Sequence, residues 1–315
     1  MPALPRTRGD RPRLVNSLRM HTLARMMHGI QLGVCHWSRE ADRGKTMLRS
    51  LKDLKGYKVN ATDGAIGAVA NFLFDDKDWA IRYLVVETGG FFADRLVLIS
   101  PISFGEPGWS ERQFPLTLTV DKVKHSPGID MDQPVSRQHE RDIHNYYGYP
   151  YYWGSLGMWG MGANPNILAV AGFEEPVAKN SDSAFDDVHL RSAAELHGYH
   201  IQGSDGAIGH VEDLVLDDET WAVRYLVIDT SNWWFGKKVL VSPLWAEKIS
   251  WAERNVYMDM SRQSIKESPQ WASPEAIDRA YETNLYNYYG RPMYWSLGQL
   301  PEEEESPHHA GFDTR

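Results

Sequence analysis

Two stretches decide how this chain is read: Asp63–Gly67 (DGAIG) and Trp79–Val85 (WAIRYLV). Both return 142 residues later, as Asp205–Gly209 (DGAIG) and Trp221–Val227 (WAVRYLV). Extending the match outward needs no gap. Leu48-Arg49-Ser50 meets Leu190-Arg191-Ser192, Asp75-Asp76 meets Asp217-Asp218, and Ser126-Pro127 meets Ser268-Pro269. Asn145–Gly148 meets Asn287–Gly290, and Trp153 meets Trp295. About 40 identities fall in the 106 aligned positions, so the chain holds one unit twice. A period this long marks two domains rather than a solenoid. The expected organisation is 1–46 as a disordered leader or a mis-assigned start ahead of Met47, 47–153 as the first repeat with its helix, and 154–189 as a linker. Residues 190–295 are the second repeat with its helix, and 296–315 an acidic disordered tail carrying Glu302–Glu305.

Each unit reads as β. Tyr57, Val59 and Ala61 alternate, and Asp63-Gly64 then supplies a tight turn. A long strand over Ala65–Phe74 slips parity near Gly67, which predicts a bulge. Trp79–Glu87 is apolar on nearly both faces, as in a closed sheet. Leu96–Ile99 and Phe114–Thr119 complete about six strands, a number that suits a small barrel without exposed edges. A helix follows each barrel. Its predicted apolar stripe is Val135, His139, Ile143 and Tyr146 in the first unit, and Ile277, Tyr281, Leu285 and Tyr288 in the second. Ser273 is the expected N-cap of the second helix, with Pro274 at its first position and Gly290 closing it. These matched stripes, or the aromatic segments after them, are expected to pack the repeats into a pseudo-dimer.

Composition narrows the function. The net charge is −9, with nine Lys and Arg against three acids in residues 1–46, so the rest of the chain carries −15. An acidic body repels phosphate backbones, and nucleic acid is not an expected partner. A single cysteine, Cys35, excludes an internal disulfide framework and a Cys-based zinc cluster. No apolar run reaches the ~18 residues of a membrane span. The expected location is cytoplasmic or peripheral to the inner membrane. No nucleophile elbow, phosphate loop or dinucleotide fingerprint is present, which leaves no catalytic residue to name and no cofactor to expect.

The pattern Leu54–Tyr57 (LKGY), DGAIG, Phe72–Asp76 (FLFDD), Trp79 and Arg82–Val86 (RYLVV) resembles the PRC-barrel family. That family takes its name from the photosynthetic reaction centre, whose H subunit carries the barrel, and the same barrel forms the C-terminal half of a ribosome-maturation factor. The resemblance implies a mainly β fold: two tandem small PRC-type β-barrels, each followed by a C-terminal α-helix. No catalytic motif defines the family. The resemblance therefore implies a non-enzymatic bacterial binding or scaffold protein with a protein partner, at a reaction centre-like or other membrane electron-transfer complex. A small-ligand or metal-ion binding role and an RNA- or ribosome-associated role are the alternatives.

Four sets of residues are candidates. The aligned loops Gly89–Arg95 and Ser231–Lys237 put Phe91, Phe92, Arg95, Trp233, Trp234, Phe235 and Lys237 between strands where polar residues are usual, so they read as partner-binding or as caps on the barrel end. Arg82 and Arg224, inside apolar strands, read as anchors for an anionic ligand, or as outward side chains paired with Glu87 or Asp229 or with a helix. The segments ending in Tyr152-Trp153 and Tyr294-Trp295 could cradle a flat ligand or strap down their own barrel. Asp75–Asp78 and Asp217–Glu219 could gather a hard cation, or form solvated turns. The histidines show no metal pattern. His139 and His144 are five apart, and His308-His309 in the tail could bind metal only adventitiously.

Overall fold

The computed structural model describes residues 48–89, 95–129, 135–153, 157–160, 162–166, 190–230, 237–273 and 277–296. In the first repeat the strands are β1 (Leu48–Ser50), β2 (Lys58–Ala61), β3 (Gly64–Asp75), β4 (Ala80–Thr88), β5 (Leu96–Ile99) and β6 (Gln113–Pro115). In the second they are β7 (Leu190–Ser192), β8 (His200–Gly203), β9 (Gly206–Asp217), β10 (Val223–Asp229), β11 (Lys238–Val241), β12 (Ala246–Ser250) and β13 (Asn255–Met258). One sheet runs β5-β4-β3-β2-β6 and the other β11-β10-β9-β8-β13-β12. The fold is mainly β, as the alternation predicts. The parity slip near Gly67 is a bulge: Val59 pairs with Gly67 but Asn60 pairs with Ala65. The same bulge recurs where Ile201 pairs with Gly209 and Gln202 with Ala207.

Glycine at this position is forced by space. A Cβ on Gly67 would sit 2.0 Å from the Glu87 carbonyl oxygen, and one on Gly209 would sit 2.1 Å from that of Asp229. No side chain fits there, so the last residue of DGAIG brings two strands into close approach.

The predicted strand Phe114–Thr119 is shorter, ending at Pro115, and Thr119 instead caps a helix by accepting from Lys122 N–H. The chain after β5 closes onto this region, with Phe104 bridging Leu116 and Thr117 N–H donating to Ser103 C=O.

The first strands are exchanged. β1 of the first repeat pairs antiparallel with β9 of the second, and β7 of the second pairs with β3 of the first. Each three-residue strand thus extends the other repeat's sheet. At the centre of the exchange, Ala80 bridges Ala222, Ile81 N–H donates to Trp221 C=O, and Val223 N–H donates to Trp79 C=O. Trp79 and Trp221 hold φ of 54° and 60°, a left-handed conformation that costs a non-glycine residue ~1–2 kcal/mol. The reciprocal backbone bonds and ring contacts hold it: Trp221 lies 5.2 Å from Phe104 and 5.9 Å from Phe114 of the other repeat. One apolar cluster consequently runs through both repeats.

Short helices follow the exchanged strands: α1 (Leu51–Leu54) and, in the second repeat, α4 (Ala193–Leu196). The others are α2 (Val120–Lys124), α3 (Arg137–Tyr147), α5 (Arg262–Glu267) and α6 (Arg279–Tyr289). Helix α6 starts at Arg279, with Asp278 rather than Ser273 as its N-cap, accepting from Tyr281 N–H; Pro274 lies outside the described residues. Gly148 and Gly290 close α3 and α6 in left-handed conformation, as predicted for Gly290.

The buried faces keep part of the predicted stripes, Ile143 in the first and Ile277 and Leu285 in the second, and add residues outside them. In α3 it is Glu140, Ile143 and His144 that are buried, and in α6 Glu282, Leu285 and Tyr286, while Tyr288 is exposed. Ile143 packs among Leu73, Tyr83, Val85 and Leu98 of its own sheet, with Leu190 of the exchanged strand. The repeats are joined by strand exchange and the tryptophan turns, with Ile143 of the expected stripe packed near the exchanged Leu190.

Candidate functional site

The two inward carboxylates explain the displaced helix faces. Glu140 lies beside the Tyr83 hydroxyl, 3.3 Å away, and accepts from Tyr152. Arg137, one turn earlier, pairs with it at 2.8 Å. The Tyr83 hydroxyl also meets His144 Nε2 at 2.8 Å, while His144 Nδ1 meets the Pro150 carbonyl at 2.9 Å. The counterpart in the second repeat is Glu282, accepting from Tyr225 at 2.7 Å and Tyr294 at 3.0 Å and pairing with Arg279 at 3.0 Å. Tyr286 takes the place of His144. Burial raises the Glu140 carboxyl to about 7 against the opposing pull of Arg137, and lowers His144 to about 3. Burial also pushes the Tyr83, Tyr152 and Tyr225 hydroxyls well up, so each stays protonated and donates or accepts as a neutral group.

Arg82 and Arg224 belong to these clusters. The Arg82 side chain is 0% exposed and bonds Asp78 at 2.7 Å, with Asp75 at 3.6 Å. It also donates to the Met158 carbonyl, and its guanidinium lies 3.9 Å from the centre of the Tyr152 ring. Arg224 bonds Asp217 at 2.7 Å and lies 4.0 Å over Tyr294. Arg137 and Arg279 cover Trp153 and Trp295 at 4.5 and 4.1 Å. The six candidate residues Arg82, Arg224, Tyr152, Trp153, Tyr294 and Trp295 are thus brought together in two matching sets, filled by the protein's own arginines. Their arrangement is that of a strap holding helix to sheet. Asp75, Asp78 and Asp217 pair with these arginines, where Glu87 or Asp229 was expected.

The acidic turns are clasps. Arg49 of the first repeat bonds Asp218 of the second at 2.7 Å, and Arg191 of the second bonds Asp76 of the first at 3.1 Å. Each of these arginines also faces an indole, Trp109 at 3.5 Å and Trp251 at 4.5 Å. Asp75 Oδ1 accepts from Lys77 and Asp78 N–H, and Asp217 Oδ1 from Glu219 and Thr220 N–H. Asp75, Asp76, Asp78, Asp217 and Asp218 thus serve arginines and turn amides.

Of the loop residues, Phe91, Phe92, Trp233, Trp234 and Phe235 lie outside the described residues. Arg95 and Lys237 do not. Arg95 donates to the carbonyls of Lys124, at 2.8 Å, and Ser126, closing α2. Lys237 donates to those of Lys266 and Ser268, at 2.6 Å for the latter, closing α5. Their charges neutralise helix C-termini and pin one end of each aromatic loop.

Sequence reasoning missed one further feature. A cavity of about 400 Å³ opens where the exchanged elements meet, lined by Leu51, Phe72, Ala193 and Leu214 and by the charged Lys52, Lys55, Glu212 and Asp213. Two of its lining residues cap the short helices from the opposite repeat: Asp213 accepts from Ser50 Oγ and Lys52 N–H, and Asn71 accepts from Ala194 N–H while donating to Ser192 Oγ. The equivalence of positions 71 and 213 is visible in the repeat, but their reaching across it is not.

The geometry defines a duplicated, strand-exchanged small barrel with a buried polar strap in each copy. The PRC-barrel domain matches residues 48–104 and 190–260, so the chain carries that domain twice. PRC-barrel is not a known enzyme family. No curated protein matches the sequence. Among the described residues no helix is long and apolar enough to cross a membrane.

Proposed function

We propose that this protein is a non-enzymatic binding scaffold that presents two copies of an aromatic loop to a protein partner. The observation that carries the reading is the matched anchoring of the loops by Arg95 and Lys237, each spent on closing a helix of its own repeat. The reactive-looking groups, Glu140, His144, Tyr83 and Arg82, are buried and bonded within the straps. The setting we assign is a peripheral place at a membrane electron-transfer complex, after the family resemblance to the reaction-centre H subunit. There the barrels would shape the field near cofactors held by other subunits. The test is affinity capture from the native host with the parent chain and a Trp233→Ser, Trp234→Ser variant. A partner recovered by the parent and lost by the variant supports the reading; identical recovery by both removes the loop from it.

The cavity between the exchanged elements favours a second reading, small-ligand binding. Its lining joins the apolar Leu51, Phe72, Ala193 and Leu214 to the cations Lys52 and Lys55 and the carboxylates Glu212 and Asp213, which suits a small amphipathic molecule. A ligand of this kind should raise the melting temperature of the parent and not of an Ala194→Trp variant, whose indole would fill the space.

A further inference from the structure

The second sheet carries a set of metal-ligand side chains that the first sheet lacks. Backbone register places His200 on β8 opposite His210 on β9, and His210 opposite Asp229 on β10. Residues directly opposite share a face of the sheet, and Glu212, two residues beyond His210, shares it too. One ligand atom from each of His210, Glu212 and Asp229 comes within 4.8 Å of the others. All three residues are half-buried and His200 is exposed. The same four positions of the first repeat hold Lys58, Ala68, Ala70 and Glu87. The backbone around them is alike in both repeats, including the glycine approach to Glu87 and Asp229, so the difference lies in the side chains.

We propose that His210, Glu212 and Asp229, with His200 as a fourth donor, bind a divalent metal ion of the zinc type. The donor chemistry selects the ion. Imidazole nitrogens mixed with carboxylates suit Zn²⁺, whereas Ca²⁺ and Mg²⁺ take all-oxygen sets. His210, Glu212 and Asp229 supply three clustered donors, and the exposed His200 opposite His210, which lies outside that cluster, turns in to complete the four a tetrahedral ion takes. Glu212 is kept ionised by Lys238 at 2.7 Å and Lys52 at 3.3 Å, both on Oε1. The metal takes the place of the Lys238 ammonium at that carboxylate, so the lysine competes with it. No local sequence motif announces the site, because its members are spread from 200 to 229 on three strands and meet only through the register.

The test is calorimetric titration of the full chain with Zn²⁺ at pH 7.5, with His308 and His309 of the tail replaced by serine. The expected result is one equivalent of Zn²⁺ bound, with no displacement by excess Ca²⁺. His210→Ala should weaken binding more than about tenfold, the low end of the cost of losing even a supporting partner at a metal site. Alanine stands at the equivalent position 68, so this variant should fold, and its circular dichroism checks that. Lys238→Gln should tighten binding. The proposal is overturned if His210→Ala binds Zn²⁺ as tightly as the parent, or if all binding disappears with His308 and His309.

Discussion

Arg49 Nε and Asp218 Oδ2 stand 2.7 Å apart although 169 residues separate them, and their counterparts Arg191 and Asp76 repeat the bond in the opposite sense. Each pair joins an exchanged strand to the far end of the other repeat's long strand. The clasp and the exchange are thus one device.

The first prediction concerns an isolated repeat. Residues 48–153 alone would have no β7 to complete β3, but a second copy could supply its β1. The fragment should form a symmetric dimer by exchanging Leu48–Ser50, with Arg49 of one copy on Asp76 of the other. Light scattering on the purified fragment measures this. A stable monomer would count against the exchange, and Arg49→Ala should shift the fragment toward monomer.

Next is the glycine approach. Gly67→Ala forces a methyl group into the Glu87 carbonyl, and the strands must part to admit it. A cost of about 1–3 kcal/mol is expected, read as a lower denaturation midpoint in urea. Gly56→Ala makes a useful contrast: its Cβ would meet nothing within 4 Å, and only its φ of 82° resists the change.

The pH profile offers a third. Burial raises Glu140 from 4.5 to about 7, so the folded state holds a proton the unfolded chain releases, and this stability is lost as pH rises from about 4.5 to 7. Burial lowers His144 from 6.5 to about 3, so its contribution is lost as pH falls from about 6.5 to 3. Between about 4.5 and 6.5 the two slopes oppose and cancel. Glu140→Gln leaves the histidine slope alone, and its stability relative to the parent should then fall with decreasing pH by up to about 1.4 kcal/mol per unit. Urea denaturation across this range checks the sign; a difference that does not vary with pH would exclude the opposition.

A fourth prediction addresses the linker. Trp159 is fully buried, donates from Nε1 to the Thr220 carbonyl at 2.8 Å, and flanks Arg82 at 4.9 Å. Trp159→Ala should cost about 3–5 kcal/mol, measured by denaturation. A change below about 1 kcal/mol would mean that this part of the linker is not integral to the core.

Much of the fold was legible because duplication prints it twice. The identities at Asp63–Gly67 and Trp79–Val85 locate a turn, a bulge and a central strand without tertiary information. The helix faces were legible only in part, since Ile143, Ile277 and Leu285 are buried as the stripes predict. An apolar stripe passes through Val135 and Tyr146, and nothing local says that Glu140 and His144 turn inward. They do so because the Tyr83 hydroxyl stands opposite, on a strand nearly sixty residues away. The strap is half legible: Arg82, Tyr152 and Trp153 stand out individually in the sequence, but nothing local marks Arg137 and Glu140, although the repeat retains them as Arg279 and Glu282. The exchange left only a faint trace. A strand as short as Leu-Arg-Ser pairs equally well with either copy of the long strand. The retained Arg49 and Asp76, with Arg191 and Asp218, were the available hint.

The exchanged strand also sets a schedule for synthesis. The ribosome makes β3 and β4 of the first repeat well before it reaches Leu190–Ser192, so the nascent barrel emerges with the end of one β3 edge unpaired. Until more than a hundred further residues are polymerised, that edge is open to any neighbouring chain, another nascent copy on the same polysome included. Final assembly of the first half thus waits for the start of the second, and slow translation across the linker would lengthen the interval in which the two can mispair.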